Sequence, residues 1–450
     1  MRNDGRAVTT GVTRALAAGA ALALALAAAL SLTGCALHPR GESEERALAR
    51  QAYEAHMAAE PAPLTRDASL REILDYAYAS NAGLKGLYWD WVAAIEAIPQ
   101  AASPGTDLAI SGEVMFEEGE TSLSRTTLGV GNDPMAGFPW PGKLATAGQM
   151  SLEMARAAGQ RFQAGKLDLR ARVLGAYYVY ALLAESLRLK TIETTLVETT
   201  ADAVGAQVQT GAASTAEVLD ARNRRDLARN DLKNLEARVP ASLAALNALL
   251  GREAAAPLDL PGELPAARDL PYTDAEVLAL LAERNPDLAA MAHEVAAGER
   301  NVTMMRQQYI PDLGLTVSGD LEGITKSLMG MLTAPVLRRE AIQASIRQAR
   351  AELEARRAAR LQAERDLTAE TVLMLYDLRT AERQVGLYEG TIVPRMAQMV
   401  ETAQAAYSTG QAGFAELVDA RLGLLEMRQM AAEMRMERET VLAKLEAMAP

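Results

Sequence analysis

Cysteine occurs once in these 450 residues, histidine three times, and aromatic residues make up only 4% of the chain. A single cysteine excludes an internal disulfide framework and a thiolate metal site within one chain. The histidines add no metal centre: His38 and His56 lie near the N-terminus, and His293 stands alone on a predicted helix with no second ligand at metal spacing. Neither a Gly-rich phosphate loop nor a Ser/His/Asp arrangement in structural context is present. The sequence therefore predicts a protein that is not an enzyme and carries no cofactor. Positive charge is scarce as well, since 46 Lys and Arg against 58 Asp and Glu leave a net charge of -12. No basic face with interleaved aromatics is offered to nucleic acid. What remains is a chain that is 49% hydrophobic and rich in alanine, which predicts long packed helices rather than a compact mixed domain.

The N-terminus carries Arg2, Arg6 and Arg14 ahead of an apolar run at 15–32, the plan of a secretory signal. The run leads into Leu32-Thr33-Gly34-Cys35, which resembles a bacterial lipobox, where small residues let the lipoprotein signal peptidase cut before a lipid-bearing cysteine. Cys35 is the expected lipid attachment site. Ala36 follows it where Asp does not, which by resemblance to sorted lipoproteins favours the outer membrane. The competing reading is an uncleaved anchor, because the apolar run is nearly long enough to span a bilayer.

Beyond the signal, the same pattern occurs twice. Thr210-Gly211 is followed by Ala216-Glu217-Val218-Leu219-Asp220-Ala221-Arg222, and Thr409-Gly410, at the same spacing, by Ala415-Glu416-Leu417-Val418-Asp419-Ala420-Arg421. Upstream, Leu108-Ala109-Ile110-Ser111-Gly112 matches Leu315-Thr316-Val317-Ser318-Gly319. The expected division is a signal peptide at 1–34, a lipid-anchored tether at 35–66, a first repeat at 67–255, a Pro-rich linker at 256–271 and a second repeat at 272–450. Prolines 257, 261, 265 and 271 make the linker unable to continue a helix.

Each repeat reads as helix, strand pair, very long helix, Gly turn, helix. The strands are short alternating runs at 107–116 and 121–131, and again at 313–320 and 327–334. The long helices are expected at 144–207 and 336–406, rods of roughly 90 to 105 Å at 1.5 Å per residue. A helix of that length must pair to bury its apolar stripe, and Leu232, Leu235, Val239, Leu243, Leu246 and Leu250 offer such a stripe after the first Gly turn. Pro240 predicts a kink within it.

A duplicated unit of strand hairpin plus long helical hairpin, behind a lipobox, resembles the TolC-like outer-membrane efflux family over nearly all of the mature chain. The residues that carry the resemblance are Tyr407, Gly410, Glu416, Asp419 and Ala420, the run Leu246-Asn247-Ala248-Leu249-Leu250-Gly251, and Asn285-Pro286-Asp287-Leu288. Phe138-Pro139-Trp140-Pro141-Gly142 is similar to the heavy-metal efflux branch. The resemblance implies a mainly α fold, in which duplicated long α-helical hairpins form a trimeric coiled-coil tunnel and two short β-hairpins per protomer join a shared outer-membrane β-barrel. It implies a homotrimer acting with a periplasmic adaptor protein and an inner-membrane pump to export metal ions or small toxic molecules, lodged in outer-membrane lipid with its helices in the periplasm. The second hairpin departs from the family, being short for a membrane-spanning strand pair and lacking aromatics.

The resemblance places Tyr407, Glu416 and Asp419, with Glu217 and Asp220 more peripheral, at the tunnel entrance, and Thr210, Gly211, Thr409 and Gly410 at the adaptor-contacting tip. In a threefold tube each acid becomes a ring of carboxylates, which favours cations. An acid just after a helix start also complements the positive end of the helix dipole without facing any lumen. The family's basic gate residue corresponds to Ala412. Met396, Met399, Met427, Met430, Met434 and Met436 suit soft metal ions, but at helical spacing they read as seam fillers. The alternative to a channel is a lipid-anchored periplasmic coiled-coil scaffold without a pore.

Overall fold

The computed structural model describes residues 37–58, 60–104, 108–114, 126–132, 139–209, 214–320 and 326–449. Cys35, Phe138, Thr210, Gly211 and the turns of both expected strand hairpins lie outside them.

The elements follow one another as two copies of a single plan. After helix α1 (Glu42–His56) the first copy runs α2 (Leu70–Ser80), α3 (Ala82–Ala102), β1 (Leu108–Val114), β2 (Thr126–Asn132), α4 (Pro141–Gln209) and α5 (Thr215–Leu249). The second runs α6 (Asp274–Arg284), α7 (Pro286–Gln307), β3 (Asp312–Asp320), β4 (Lys326–Thr333), a 3-10 turn (Val336–Arg338), α8 (Arg339–Leu387), a π turn (Tyr388–Ile392), α9 (Val393–Ser408) and α10 (Phe414–Met448). Helix α4 alone has 69 residues, about 100 Å of continuous helix at 1.5 Å per residue.

Both copies open with the same local device. Ser69 and Glu72 form a reciprocal capping box ahead of α2, and Thr273 and Glu276 form one ahead of α6. Each box satisfies two of the donors that a helix start leaves unpaired. Each of these helices is 11 residues long and ends at an asparagine, Asn81 or Asn285.

The rod expected at 336–406 is interrupted where a proline requires it. Pro394 has no N–H to give to the preceding turn, and the π turn just before it widens the helix so that the Val393 N–H reaches back to the Tyr388 carbonyl. Pro240 and Pro99 are carried inside α5 and α3, which continue through them. The 35–66 segment, expected as a tether, contains the 15-residue helix α1.

Two compact units emerge. The first comprises 37–49, 89–159 and 290–361, and the second 50–88, 160–289 and 362–449. In the first, α3 lays Trp91, Ile95, Ile98 and Ala102 inward at helical period. The Trp91 indole donates to the buried Glu45 carboxylate at 2.7 Å, which docks α1. Gly159 permits this: a Cβ there would stand 2.8 Å from the indole. In the second unit, Val277, Leu375, Leu378, Leu442 and Leu445 form one core cluster, and Leu174, Tyr178, Met436 and Ala443 another.

The first unit also holds a four-stranded antiparallel sheet in the order β1-β2-β3-β4. Its register decides which residues share a face, because neighbours in a strand alternate and paired residues do not. Leu313, Leu315 and Val317 pair with Leu332, Gly330 and Leu328, and Val317 also pairs with Val130, which pairs with Ile110. That face is apolar apart from Thr126, Asn132 and Lys326 at strand ends. By the same register the opposite face collects Ser111, Glu113, Thr127, Asp312, Thr316, Ser318 and Ser327 together with Ala109, Met329 and Met331, and is mainly polar.

Candidate functional site

The turn between α9 and α10 is built by its own sequence. Gly410 takes a φ of 72°, the left-handed conformation that glycine adopts without a Cβ penalty. The Gly410 N–H donates to the Tyr407 carbonyl at 3.1 Å and the Gln411 N–H to the Ala406 carbonyl at 2.8 Å. These are the two bonds of a Schellman helix end. The Tyr407 ring lies 5.8 Å from that of Phe414 across the turn. One turn further from the tip, Arg421 donates to the Gln404 side chain at 2.6 Å, joining α10 to α9.

The acids of the two copies have different surroundings. Glu217 is the partner in a capping box: the Ser214 N–H donates to its carboxylate at 2.6 Å, and its own N–H donates to the Ser214 hydroxyl at 3.3 Å. The bonds from the Ser214 backbone and then its hydroxyl hold the Glu217 carboxyl below the usual carboxylate range. Asp220 pairs with Arg224 at 2.9 Å, one turn along the helix. In the second copy Gly413 occupies the place of Ser214 and has no side chain to cap with. Glu416 and Asp419 are exposed, and among the described residues neither has a hydrogen bond or an ion pair.

Asp419 also borders a groove of about 820 Å³ between α4, α5 and α10. Five carboxylates line it, those of Glu193, Asp231, Asp419, Glu426 and Glu433, against the two cations Lys190 and Arg238. Lys190 is already held by Glu193 at 2.8 Å and Asp231 at 3.3 Å. The groove is therefore net negative at its α10 wall. Tyr407, Thr409, Gly410 and Glu416 share one turn, Asp419 lies at the groove, and among the described residues no hydrogen bond or ion pair links them to Glu217 or Asp220.

Sequence reasoning missed the residues that close each copy on itself. The Asn81 amide donates to the Leu249 carbonyl at 2.8 Å while its oxygen accepts from the Leu84 N–H. The Asn285 amide donates to the Met448 carbonyl at 2.9 Å while its oxygen accepts from the N–H groups of Asp287 and Leu288. Each asparagine thus caps the helix after it and ties it to the last turn of its own repeat. The signal was available in the two capping boxes, each followed 12 residues on by asparagine. The linker is also clamped: Arg268 donates to the fully buried Glu439 at 3.1 Å and to Glu446 at 2.8 Å, and the Asn247 amide holds the carbonyls of Ala254 and Ala256.

The family model described as outer membrane efflux protein matches residues 141–252 and 277–449, that is, both helical hairpins on either side of the linker. The chain belongs to the outer membrane efflux protein family. Family members are channels rather than enzymes. The probable efflux pump outer membrane protein TtgC of Pseudomonas putida is 28% identical over 204 residues, 45% of this chain and 41% of the relative. That alignment spans about two fifths of the relative's length. Among solved structures, a membrane protein from Pseudomonas aeruginosa superposes with a TM-score of 0.71 at 20% identity, over 88% of this chain and 95% of that one. The open state of the Neisseria gonorrhoeae MtrE outer membrane channel superposes with a TM-score of 0.69 at 18% identity, over 92% and 98%. At these identities the likeness is one of fold, and this efflux-family fold is the TolC-like one.

Proposed function

We propose that this chain is the outer-membrane channel of a tripartite efflux system, working as a homotrimer with a periplasmic adaptor and an inner-membrane pump. The observation that carries the reading is the four-stranded sheet, mostly apolar on one face and mainly polar on the other, with β1 and β4 unpaired at its edges among the described residues. Alternation of this kind suits a wall with lipid outside and water inside. Unpaired strand edges are not tolerated in hydrocarbon, so the sheet must close against other copies. Three copies of four strands supply a twelve-stranded barrel. The helical hairpins then build the periplasmic tunnel, with Gly211 and Gly410 at the tips that meet the adaptor and Tyr407, Glu416 and Asp419 around the entrance.

The remaining parts of the proposal are a signal peptide at 1–34, lipid on Cys35, and repeats at 67–255 and 272–450 joined by the linker. The cargo is a small toxic molecule or a metal ion. Two Pseudomonas putida relatives are named as antibiotic and toluene efflux pump outer membrane proteins, which favours the organic class. The test is the purified full chain in planar bilayers, together with its migration on gels with and without heating. A heat-modifiable trimer that conducts is expected. A monomer or non-conducting rod would favour the pore-less scaffold instead.

A further inference from the structure

The antiparallel order brings the start of β1, the end of β2, the start of β3 and the end of β4 to one end of the sheet. Four large apolar or amphipathic side chains stand exposed on the segments that leave this end. Trp140 precedes α4 and Tyr309 precedes β3; Val336 and Leu337 follow β4, and Leu337 is wholly exposed at 102%. Lys143 ties two of these segments together, donating to the Ile310 carbonyl and to Asp312 at 2.7 Å each. Directly after the apolar pair come Arg338 and Arg339, exposed and without an ion pair among the described residues; the neighbouring acid, Glu340, is engaged by Arg347 at 3.2 Å.

The N-terminal segment reaches the same place. The Leu37 N–H donates to the Ala102 carbonyl at 3.3 Å, and Ala102 ends the helix that feeds β1.

We propose that Trp140, Tyr309, Val336 and Leu337, with Arg338 and Arg339, form a collar that sits in the headgroup layer of the periplasm-facing phospholipid leaflet. This deepens the channel reading above and rests on it. Amphipathic rings with polar tips belong at a membrane interface, an exposed Val-Leu pair gains by leaving water beside the mostly apolar face of the sheet, and paired guanidinium groups bind phosphate in a way ammonium groups do not. A second copy of the chain would supply an apolar cover for Val336 and Leu337. It would not by itself explain two unpaired arginines beside them, whereas phospholipid supplies both the acyl region and the anionic charge.

The test uses the full-length, lipid-bearing protein with a nitroxide label at Leu337→Cys, in vesicles of phosphatidylethanolamine and phosphatidylglycerol. Collision with oxygen, which concentrates in the bilayer, is compared with collision with a water-soluble nickel chelate. Two further labels set the scale: Gly330→Cys, on the apolar face of the sheet where a Cβ meets nothing within 4 Å, and Leu361→Cys on α8. The proposal expects an oxygen-to-nickel ratio at Leu337→Cys several-fold above that at Leu361→Cys and below that at Gly330→Cys. It also expects Arg338→Glu with Arg339→Glu to move the Leu337→Cys ratio towards that of Leu361→Cys. A ratio equal to that of Leu361→Cys puts the collar in water, and shielding from both reagents shows a second copy covering it. Either result overturns the proposal while a lipid-exposed Gly330→Cys leaves the channel reading standing. If Gly330→Cys itself behaves as Leu361→Cys does, the sheet is not in the bilayer and both fail.

Discussion

Asn285→Ala is the most direct probe of how each repeat is closed. The side chain is 4% exposed and makes three bonds: its oxygen accepts at 3.0 Å from the N–H groups of both Asp287 and Leu288, and its amide donates at 2.9 Å to the carbonyl of Met448. The first two bonds cap α7, and losing such a cap costs about 1 kcal/mol. The third satisfies one of the carbonyls that the end of α10 leaves unpaired, worth about 1 kcal/mol net. Together the loss is about 2 kcal/mol, roughly a thirty-fold rise in the local opening equilibrium. Hydrogen exchange read by mass spectrometry on the intact protein should register it in two separate peptides, the first turn of α7 and the final turn of α10. Asn285→Asp separates the contributions, because the carboxylate keeps the capping oxygen and suits the positive end of α7 but cannot donate to Met448. Its effect should be confined to the last turn of α10. Unchanged exchange at 445–449 in Asn285→Ala would refute the reasoning, since the tie between the ends of the repeat would then contribute nothing.

Gly251 and Gly410 have φ values of 65° and 72°, so alanine costs about 1 kcal/mol at either. At Gly251 the added methyl would also lie 2.8 Å from the Ser80 carbonyl oxygen, whereas at Gly410 it meets nothing within 4 Å; Gly251→Ala should therefore melt clearly lower, and equal melting would show that the Ser80 backbone yields freely. His56 accepts from Lys166 at 2.6 Å, and burial, then the Lys166 charge, push it below its usual 6.5. The unfolded chain thus takes up this proton more readily, so the contribution to stability is intact above about pH 6.5 and is lost as the pH falls from there towards the folded pKa. His56→Gln, which keeps an acceptor without titrating, should flatten the pH dependence of unfolding in that window, and an identical slope would rule the pair out as its source. For the proposed entrance, Glu416→Gln with Asp419→Asn should reduce cation selectivity in planar bilayers more than Glu217→Gln with Asp220→Asn, whose wild-type acids are engaged by Ser214 and Arg224. Equal effects from the two pairs would count against a special role for the second turn.

Much of this molecule was legible before any coordinates because its signals are local. The rods, the strand runs, the Pro-rich linker and the glycine at the second turn are each written within a few residues, and the duplication repeats the pattern. The difference between Glu217 and Glu416 is also local, since Ser214 and Gly413 stand at matching positions and only one can cap. Pro394 stands in the sequence as well, but the π turn that accommodates it depends on how the neighbouring turn can widen.

Other features depended on partners far away in sequence. The capping bonds of Asn81 and Asn285 are local, but their second bonds reach carbonyls 168 and 163 residues away. The Arg268 clamp on Glu439 and Glu446 spans 171 and 178 residues, and nothing near Arg268 announces it. Helix α1 lies in a stretch that reads as a tether, because its hold is the bond from Trp91 to Glu45 and the space left by Gly159, which no periodicity within 42–56 reveals. The two faces of the sheet likewise required the register, since shifting a strand by one residue exchanges every residue between faces. Helices and turns are chosen by energies among near neighbours in the chain, which a sequence states directly; register and clamps are chosen by which distant segments meet, and only the folded chain settles that.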